Sequence, residues 1–426
     1  MTRERPGRDA VSAADLDRHF PRYGSFDPAV PIWCVTPEHG GSIHRFVDSS
    51  PISPSGRYLG VTQVPYEDRV PTPGDQASVL VVDLKTGETH AVAQTRGWDT
   101  QLGAQVQWGA DDSVLLFNDV DVGSWRPHGV KLNILTGEGR SLDGPIYSVS
   151  ADGSRAASCC LTRIRRVQPG YGVLTEQSSI PSNHGASAED GVYITGLDSG
   201  TTDLLVSFAD IIEQARPQIL VPPGADMYGF HVRWSPDGRR LQTVLCWLTG
   251  ELPRHGALGR QLVTMRGDGT DIRLAIPMSA WNKGGNHPGW CPDSEHVLMN
   301  LKLDGRHVRF ARARYDGRGL RALADEILGS GHPTMHRDGR YLLTDAHPDQ
   351  PAASSDRSSA LRLIDLECKQ DRRLARIMCL PRTTGSLREL RVDPHPAWDR
   401  SFRWVTFNGC PEGTRRVYIA DLGGVL

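Results

Sequence analysis

One short phrase returns along the chain and restricts its architecture more than any other feature. HVRWSPDG begins at His231, HPGWCPDS at His287, HPTMHRDG at His332 and HPAWDRSF at His395. Three weaker copies come first: SSPISPSG at Ser49, QVQWGADD at Gln105 and IYSVSADG at Ile146. Each copy holds a few strand-forming residues, a polar turn of Pro, Asp, Gly or Ser, and a second apolar strand such as SVLLFNDV, EHVLMNLK or RYLLTDA. A second phrase follows after a loop, as in VLVVDLKTGE, KLNILTGEG and VYITGLDSGT, and its Thr-Gly or Ser-Gly pair suits a tight turn between a third and a fourth strand. A unit of four short strands cannot bury its faces alone, but side-by-side copies can. Seven such units predict an all-β fold, a seven-bladed β-propeller.

The spacing of the copies predicts the rest of the layout. The longest gap, from Ile146 to His231, places an insertion at about residues 161–191, between the second and third strands of the third blade. Residues 1–28 carry no strand pattern and read as an N-terminal extension with a short helix at Ala13 to His19, leaving 29–426 for the propeller. The last copy, VYIADL, runs into the C-terminus without an outer strand. The segment AVPIWCV would supply it and leave no sheet edge exposed.

Composition narrows the function classes. A formal net charge of −2 excludes a polyanion-coating surface and argues against a nucleic-acid partner. No apolar run reaches the roughly 18 residues of a membrane span, and MTRERPGRDAVSAADLDRHF lacks the apolar core of a signal peptide, so a cytoplasmic protein with no membrane partner is expected, as a monomer or weak homo-oligomer. The 8 Cys show no zinc-ribbon spacing and fit reduced, buried thiols. The 5 Lys are far outnumbered by 43 Arg, and the guanidinium fork suits carboxylate recognition.

Propeller geometry then sorts the chemistry. The innermost strand of a blade begins at one end of the central channel, and the loop between its second and third strands returns to that end. The first position of the repeated phrase is Ser49, Gln105, Ile146, His231, His287, His332 and His395 in turn. Four imidazoles converging on one channel mouth are a candidate site for a divalent metal ion, zinc or manganese, with Gln105 or His336 as substitutes for one of them. The structural alternative is a ring of hydrogen-bonded polar residues that holds ordered water. Loops at the same end carry Arg126, His128 and Lys131 in GSWRPHGVKLN, and Arg163, Arg165, Arg166 and Tyr171 in LTRIRRVQPGYGV. No G-x-S-x-G elbow, P-loop or dinucleotide fingerprint occurs. β-Elimination from a uronic acid asks for this set: a base takes the C5 proton, cations stabilise the enolate-like charge on the carboxylate, and the C4 oxygen leaves with help from an acid.

The stretches IHRFVDSSPISPSGRYLGVT, WDTQLGAQVQWGADD, PHGVKLN, GYGV, NHPGWCPDSEHVLMNLK and RVDPHPAWDRSFRWVTFN resemble the seven-bladed propeller polysaccharide lyases, the group of ulvan lyases and oligogalacturonate lyases. The resemblance implies a lyase acting on a uronate-containing oligosaccharide or polysaccharide, with His128 and Tyr171 as the catalytic pair. It implies His231, His287 and His332 as metal ligands, joined by His395, and Arg45, Gln105, Lys131, Arg166 and His184 as substrate-binding residues. The chain also departs from the pattern. Gln105 and Gln107 stand where ulvan-lyase relatives carry a further His, and His184 or Arg166 stands in for an expected Arg of the insertion. The rival reading is a non-catalytic TolB-like propeller that binds a protein or peptide at the channel mouth.

Overall fold

The computed structural model of the chain describes residues 10–181, 185–248, 259–346, 354–356, 358–380 and 387–426, with the backbone alone for Arg166, Leu387 and Arg388. Its strands form seven antiparallel sheets of four, each built from consecutive strands except the last. Blade 4 is typical, with strands Asp226–Trp234, Arg240–Leu248, Gly259–Arg266 and Arg273–Ile276. Its second strand is buried along its whole length because neighbouring blades cover both faces of the sheet. Blade 7 takes its outer strand from the other end of the chain: Ile32–Cys34 pairs with Arg416–Asp421, Ile32 opposite Ala420. The seam between the first and last blades is therefore hydrogen-bonded and no blade edge is left open there.

The Asp of the repeated phrase has a local task. In blade 4, Asp237 accepts from Ser235 Oγ and from the Arg239 amide, and Asp152, Asp293 and Asp338 accept the amide two residues on in blades 3, 5 and 6. Each carboxylate closes the turn between the first two strands. Outside the ring, helix Ala13–His19 is capped by Ser12 with Asp15 in a reciprocal box, buries Leu16, and docks where Asp17 accepts from the Trp33 indole. Between Arg155–Ser158 and Gly191–Gly196 of blade 3 lies a helix, Leu161–Val167, and a 3₁₀ turn, Gln177–Ser179.

Blade 1 breaks the repeat, and the break shapes the channel. Ile43 pairs with Thr62 and Ile52 with Leu59, so the intervening inner-strand residues leave the ladder opposite only Gly60 and Val61. They bulge inward and form a plug. Phe46, fully buried, sits among the imidazoles of blades 4 to 7, with centroid distances of 4.5 Å to His395, 5.3 Å to His332, 5.4 Å to His231 and 6.5 Å to His287. Its flanking charges are tied down. Arg45 donates to Gln105 Oε1 (2.8 Å), Asp48 Oδ1 (2.9 Å) and the Tyr147 carbonyl, while Arg233 pairs with Asp48 Oδ2 at 3.2 Å and covers the Phe46 ring at 4.7 Å. The two guanidiniums hold the Asp48 carboxyl below its usual range although burial pushes the other way. Replacing Asp48 with Asn should leave both cations in the plug without a counter-charge. The expected loss is about 3–5 kcal/mol, read as a lower urea midpoint. An unchanged midpoint would mean that the plug does not depend on this pairing.

Candidate functional site

A repeated kink aims the imidazoles into the channel. His231 (φ 52°), His287 (φ 61°) and His395 (φ 48°) all take the left-handed backbone conformation, as does Gln105 (φ 59°) at the matching position of blade 2. In blades 4 and 5 the kink is a β-bulge. Phe230 pairs with Val244 and Arg233 with Gln242, and likewise Asn286 with Asn300 and Gly289 with Leu298, so two residues face one at each His. In blade 6 the kink falls one residue earlier, at Gly331 (φ 55°), where a Cβ would lie 2.0 Å from the Asp345 carbonyl. Left-handed non-glycine residues cost about 1–2 kcal/mol each, so a cluster of them at one ring level is strain held in place by the surrounding blades.

The hydrogen bonds decide what each ring can offer. His231 Nδ1 lies 2.9 Å from the Tyr147 hydroxyl and 3.1 Å from Arg233, and because a guanidinium only donates, this nitrogen is the acceptor and Nε2 carries the proton. The lone pair that a metal would need is thus engaged. His287 is the reverse case: Nδ1 donates to the Gly331 carbonyl at 2.6 Å, which leaves the lone pair on Nε2. His332 Nδ1 donates to the Asp345 carboxylate at 3.0 Å, both groups being fully buried, so its lone pair also sits on Nε2. A carboxylate behind an imidazole is the usual support of a metal-binding His. His395, 1% exposed, makes no hydrogen bond through either ring nitrogen among the described residues, and its Nε2 is 3.9 Å from Asp393 Oδ2. Burial and His332 push the His395 imidazole well below its usual pKa, against the pull of Asp393 and Asp345. Ligand atoms of His332, Asp393 and His395 lie within 4.8 Å of one another. Two imidazoles and one carboxylate, with the His395 ring nitrogens buried without a hydrogen-bond partner among the described residues, fit a divalent cation.

Tyr171 adjoins this cluster. It stands between Gly170 (φ 88°) and Gly172 (φ 80°), and a Cβ on Gly172 would lie 2.3 Å from the Leu161 carbonyl, so the close turn of GYGV requires glycine there. The Tyr171 ring packs edge-on against Phe230 at 5.3 Å, and its hydroxyl accepts from Arg391 at 3.1 Å. Arg391 in turn donates to Asp393 Oδ2 at 2.9 Å. One connected path thus runs from Tyr171 through Arg391 and Asp393 to His395 and His332. Burial pushes the Tyr171 phenol up to about 12, with Arg391 pulling it partly back.

The other expected residues sit elsewhere. Arg45 and Gln105 bond to each other within the plug, each about 2% exposed. Lys131 pairs with Asp198 at 2.8 Å, on the turn between the outer strands of blade 3, away from the histidines. His128 lies near the start of the third strand of blade 2, opposite Asp119, and among the described residues its side chain makes no hydrogen bond or ring contact. Arg163 and Arg165 of the insertion are engaged by Asp190 with Asp226 and by Glu389, respectively. His184 and the Arg166 side chain lie outside the described residues.

Three members of the cluster escaped the sequence reading: Arg391, Asp393 and Asp345. The first two stand four and two residues before His395 in RVDPH, a stretch the family resemblance already contained. Asp345 follows from register, since Thr334 pairs with Leu343 and His332 therefore meets Asp345 two steps on.

No family model matches the chain, and no curated protein matches it. Solved structures do. An oligogalacturonate lyase from Vibrio parahaemolyticus aligns with a TM-score of 0.65 at 13% identity, covering 95% of this chain and 96% of its own. An oligogalacturonate lyase in complex with manganese aligns with a TM-score of 0.62 at 15% identity, over 94% and 96% of the two chains. The chain shares the seven-bladed propeller fold of these lyases from end to end. TolB from Acinetobacter baumannii aligns at 0.42 and 10% identity, over 86% and 80%. No helix among the described residues is long and apolar enough to cross a membrane.

Proposed function

We propose that the protein is a polysaccharide or oligosaccharide lyase that cleaves a uronate-containing glycan by β-elimination. The observation that carries this reading is the Tyr171–Arg391–Asp393 path beside a pair of buried, carboxylate-flanked imidazoles. The fold shared with oligogalacturonate lyases supports it.

The proton inventory assigns the roles. A phenol at about 12 keeps its proton at neutral pH, so Tyr171 suits the acid that protonates the departing C4 oxygen. For the base that removes the C5 proton we assign His128, which stands outside the histidine cluster, near the start of the third strand of blade 2 and close to the loop that returns to this end of the blade. Arg391 pairs with the substrate carboxylate and stabilises the charge that develops when C5 loses its proton. His332, Asp393 and His395 would hold a divalent ion, manganese or zinc, whose chemistry there is to draw electron density from an oxygen ligand. The bond between C4 and its oxygen breaks as the C4–C5 double bond forms, and no water is consumed.

Two experiments test this. Uronate oligosaccharides of the galacturonate, glucuronate and iduronate series mixed with the protein should give rising ultraviolet absorbance from the conjugated alkene with at least one series, and His128→Ala should abolish it. Silence across all three series overturns the assignment. Separately, stripped protein titrated with manganese should take up about one equivalent, and the double variant His332→Ala, His395→Ala should take up none. Equal uptake by both would place the ion elsewhere.

A further inference from the structure

We propose that the turn at residues 99–101 is a positioning element that sets Tyr171 against Arg391, with Asp99 as its central residue; this rests on the reading of those two side chains as working groups. The two arrive on segments 220 residues apart in sequence, and neither segment belongs to a blade strand. The turn holds both. Asp99, fully enclosed, accepts from the Gly172 amide through Oδ2 at 2.8 Å and from the Gln101 and Leu102 amides through Oδ1 at 2.9 and 2.5 Å. Thr100 Oγ1 donates to the Glu389 carbonyl at 2.5 Å and approaches the Gly170 carbonyl at 3.3 Å. Gln101 Nε2 donates to the Arg391 carbonyl at 2.9 Å and the Glu389 carbonyl at 3.2 Å.

The pattern is specific to this pair. Asp99 and Thr100 hold the residues on either side of Tyr171, while Thr100 and Gln101 hold the backbone at and just before Arg391. Arg165, from the insertion helix, adds a direct tie to Glu389 at 2.6 Å. Gly170 and Gly172 both take left-handed conformations, and the backbone ties of the segment are the Tyr171 amide to the Gln168 carbonyl at 3.0 Å and the Val173 amide to the Leu161 carbonyl at 3.3 Å. The Gly172 amide between them is held by the buried Asp99 carboxylate, which adds the third and shortest constraint. A second consequence follows for the sequence: WDTQLG precedes the blade 2 inner strand, where no repeat element demands an Asp, and its polar residues reach across to blade 3 and to the approach to blade 7.

Asp99→Asn tests the proposal with little change in shape. The Asn oxygen can still accept from Gln101 and Leu102, but its amide group then meets the Gly172 N–H donor to donor. Amide exchange across residues 170–173 should speed up by about tenfold or more. On a cleavable uronate substrate kcat should fall by about a hundredfold with KM nearly unchanged. The same substitution in a Tyr171→Phe background should change the residual rate by less than about twofold, because its effect runs through Tyr171. If Asp99→Asn fails to fold, Thr100→Val gives the same readings at smaller size. Unchanged exchange overturns the clamp whether or not any substrate is found. Faster exchange with unchanged kcat, or an equal loss in both backgrounds, overturns its positioning role. A wild-type protein with a protected 170–173 segment and no activity on any uronate overturns the lyase reading and leaves the clamp as a structural tie only.

Discussion

Tyr171→Phe is expected to lower kcat on a cleavable uronate oligosaccharide by about a thousandfold while KM changes by less than about threefold. The substitution removes one oxygen and keeps the ring, so the edge-on packing against Phe230 persists and the fold should be intact. The lost hydroxyl accepted from Arg391, which keeps its second partner, Asp393, and so does not become an unpaired buried charge. The deficit is therefore in proton transfer to the leaving oxygen, a transition-state interaction, and it should fall on kcat. Arg391→Lys should act on a different parameter. The single ammonium keeps the charge but loses the fork, so binding of the carboxylate weakens and KM rises, with a smaller fall in kcat because part of the charge stabilisation remains. Oligosaccharides whose uronates are methyl-esterified should bypass part of the Arg391 defect, since an ester needs less charge stabilisation before C5 loses its proton.

The second large effect is loss of stability in acid. Burial pushes His44 down to about 3 and holds His231 and His395 well below the usual imidazole range, so all three are neutral in the folded, metal-free protein. Unfolding frees them to take up protons below about pH 6.5. A group depressed in the fold adds stability above its unfolded pKa and loses that contribution as pH falls towards the folded value. Asp99 works in the opposite direction, because burial raises its carboxyl to about 7 and stability from it grows as pH falls from about 7 to about 4. Among these four groups, three protons against one leaves a net uptake of about two on unfolding, or roughly 3 kcal/mol lost per pH unit between about pH 6 and 4. Urea midpoints of stripped protein across this range should show that slope. A flat profile would mean that the histidines are not buried as neutral rings. His44→Gln should flatten the profile by about half without touching the neutral-pH activity.

The blades were legible because a repeat states its own period. Trp108, Trp234, Trp290 and Trp398 mark the end of the inner strand in four of the seven units, and in the first three of these the turn that follows carries an Asp three residues on. The closure of the ring by Ile32–Cys34 could be expected from the missing strand after VYIADL. The plug could not. Residues between Ile43 and Ile52 look like an ordinary polar link, and nothing local tells that Phe46 will meet four imidazoles whose ring neighbours are set by blades hundreds of residues away.

The site was half legible for a related reason. Repeat register brings His231, His287, His332 and His395 to one level, but register is silent on which ring nitrogen is occupied. That depends on non-repeat partners such as Arg233, the Gly331 carbonyl and Asp345. Arg45 and Lys131 have the chemistry of carboxylate binders, yet each pairs with an Asp of its own chain, Arg45 with Asp48 in the plug and Lys131 with the exposed Asp198. Arg391 and Asp393 belong to the same stretch as His395, and their pairing with each other and with Tyr171 depends on a segment 220 residues away.

The central claim is that the glycosidic bond breaks by elimination and not by hydrolysis. Digestion of a uronate oligosaccharide in water enriched in oxygen-18, followed by mass spectrometry of the fragments, separates the two directly. The expected result is a pair of fragments whose masses sum to that of the substrate, with no heavy oxygen in either and an unsaturated uronate at one new end. Fragments that together carry one added water with oxygen-18 at the new reducing end would contradict it.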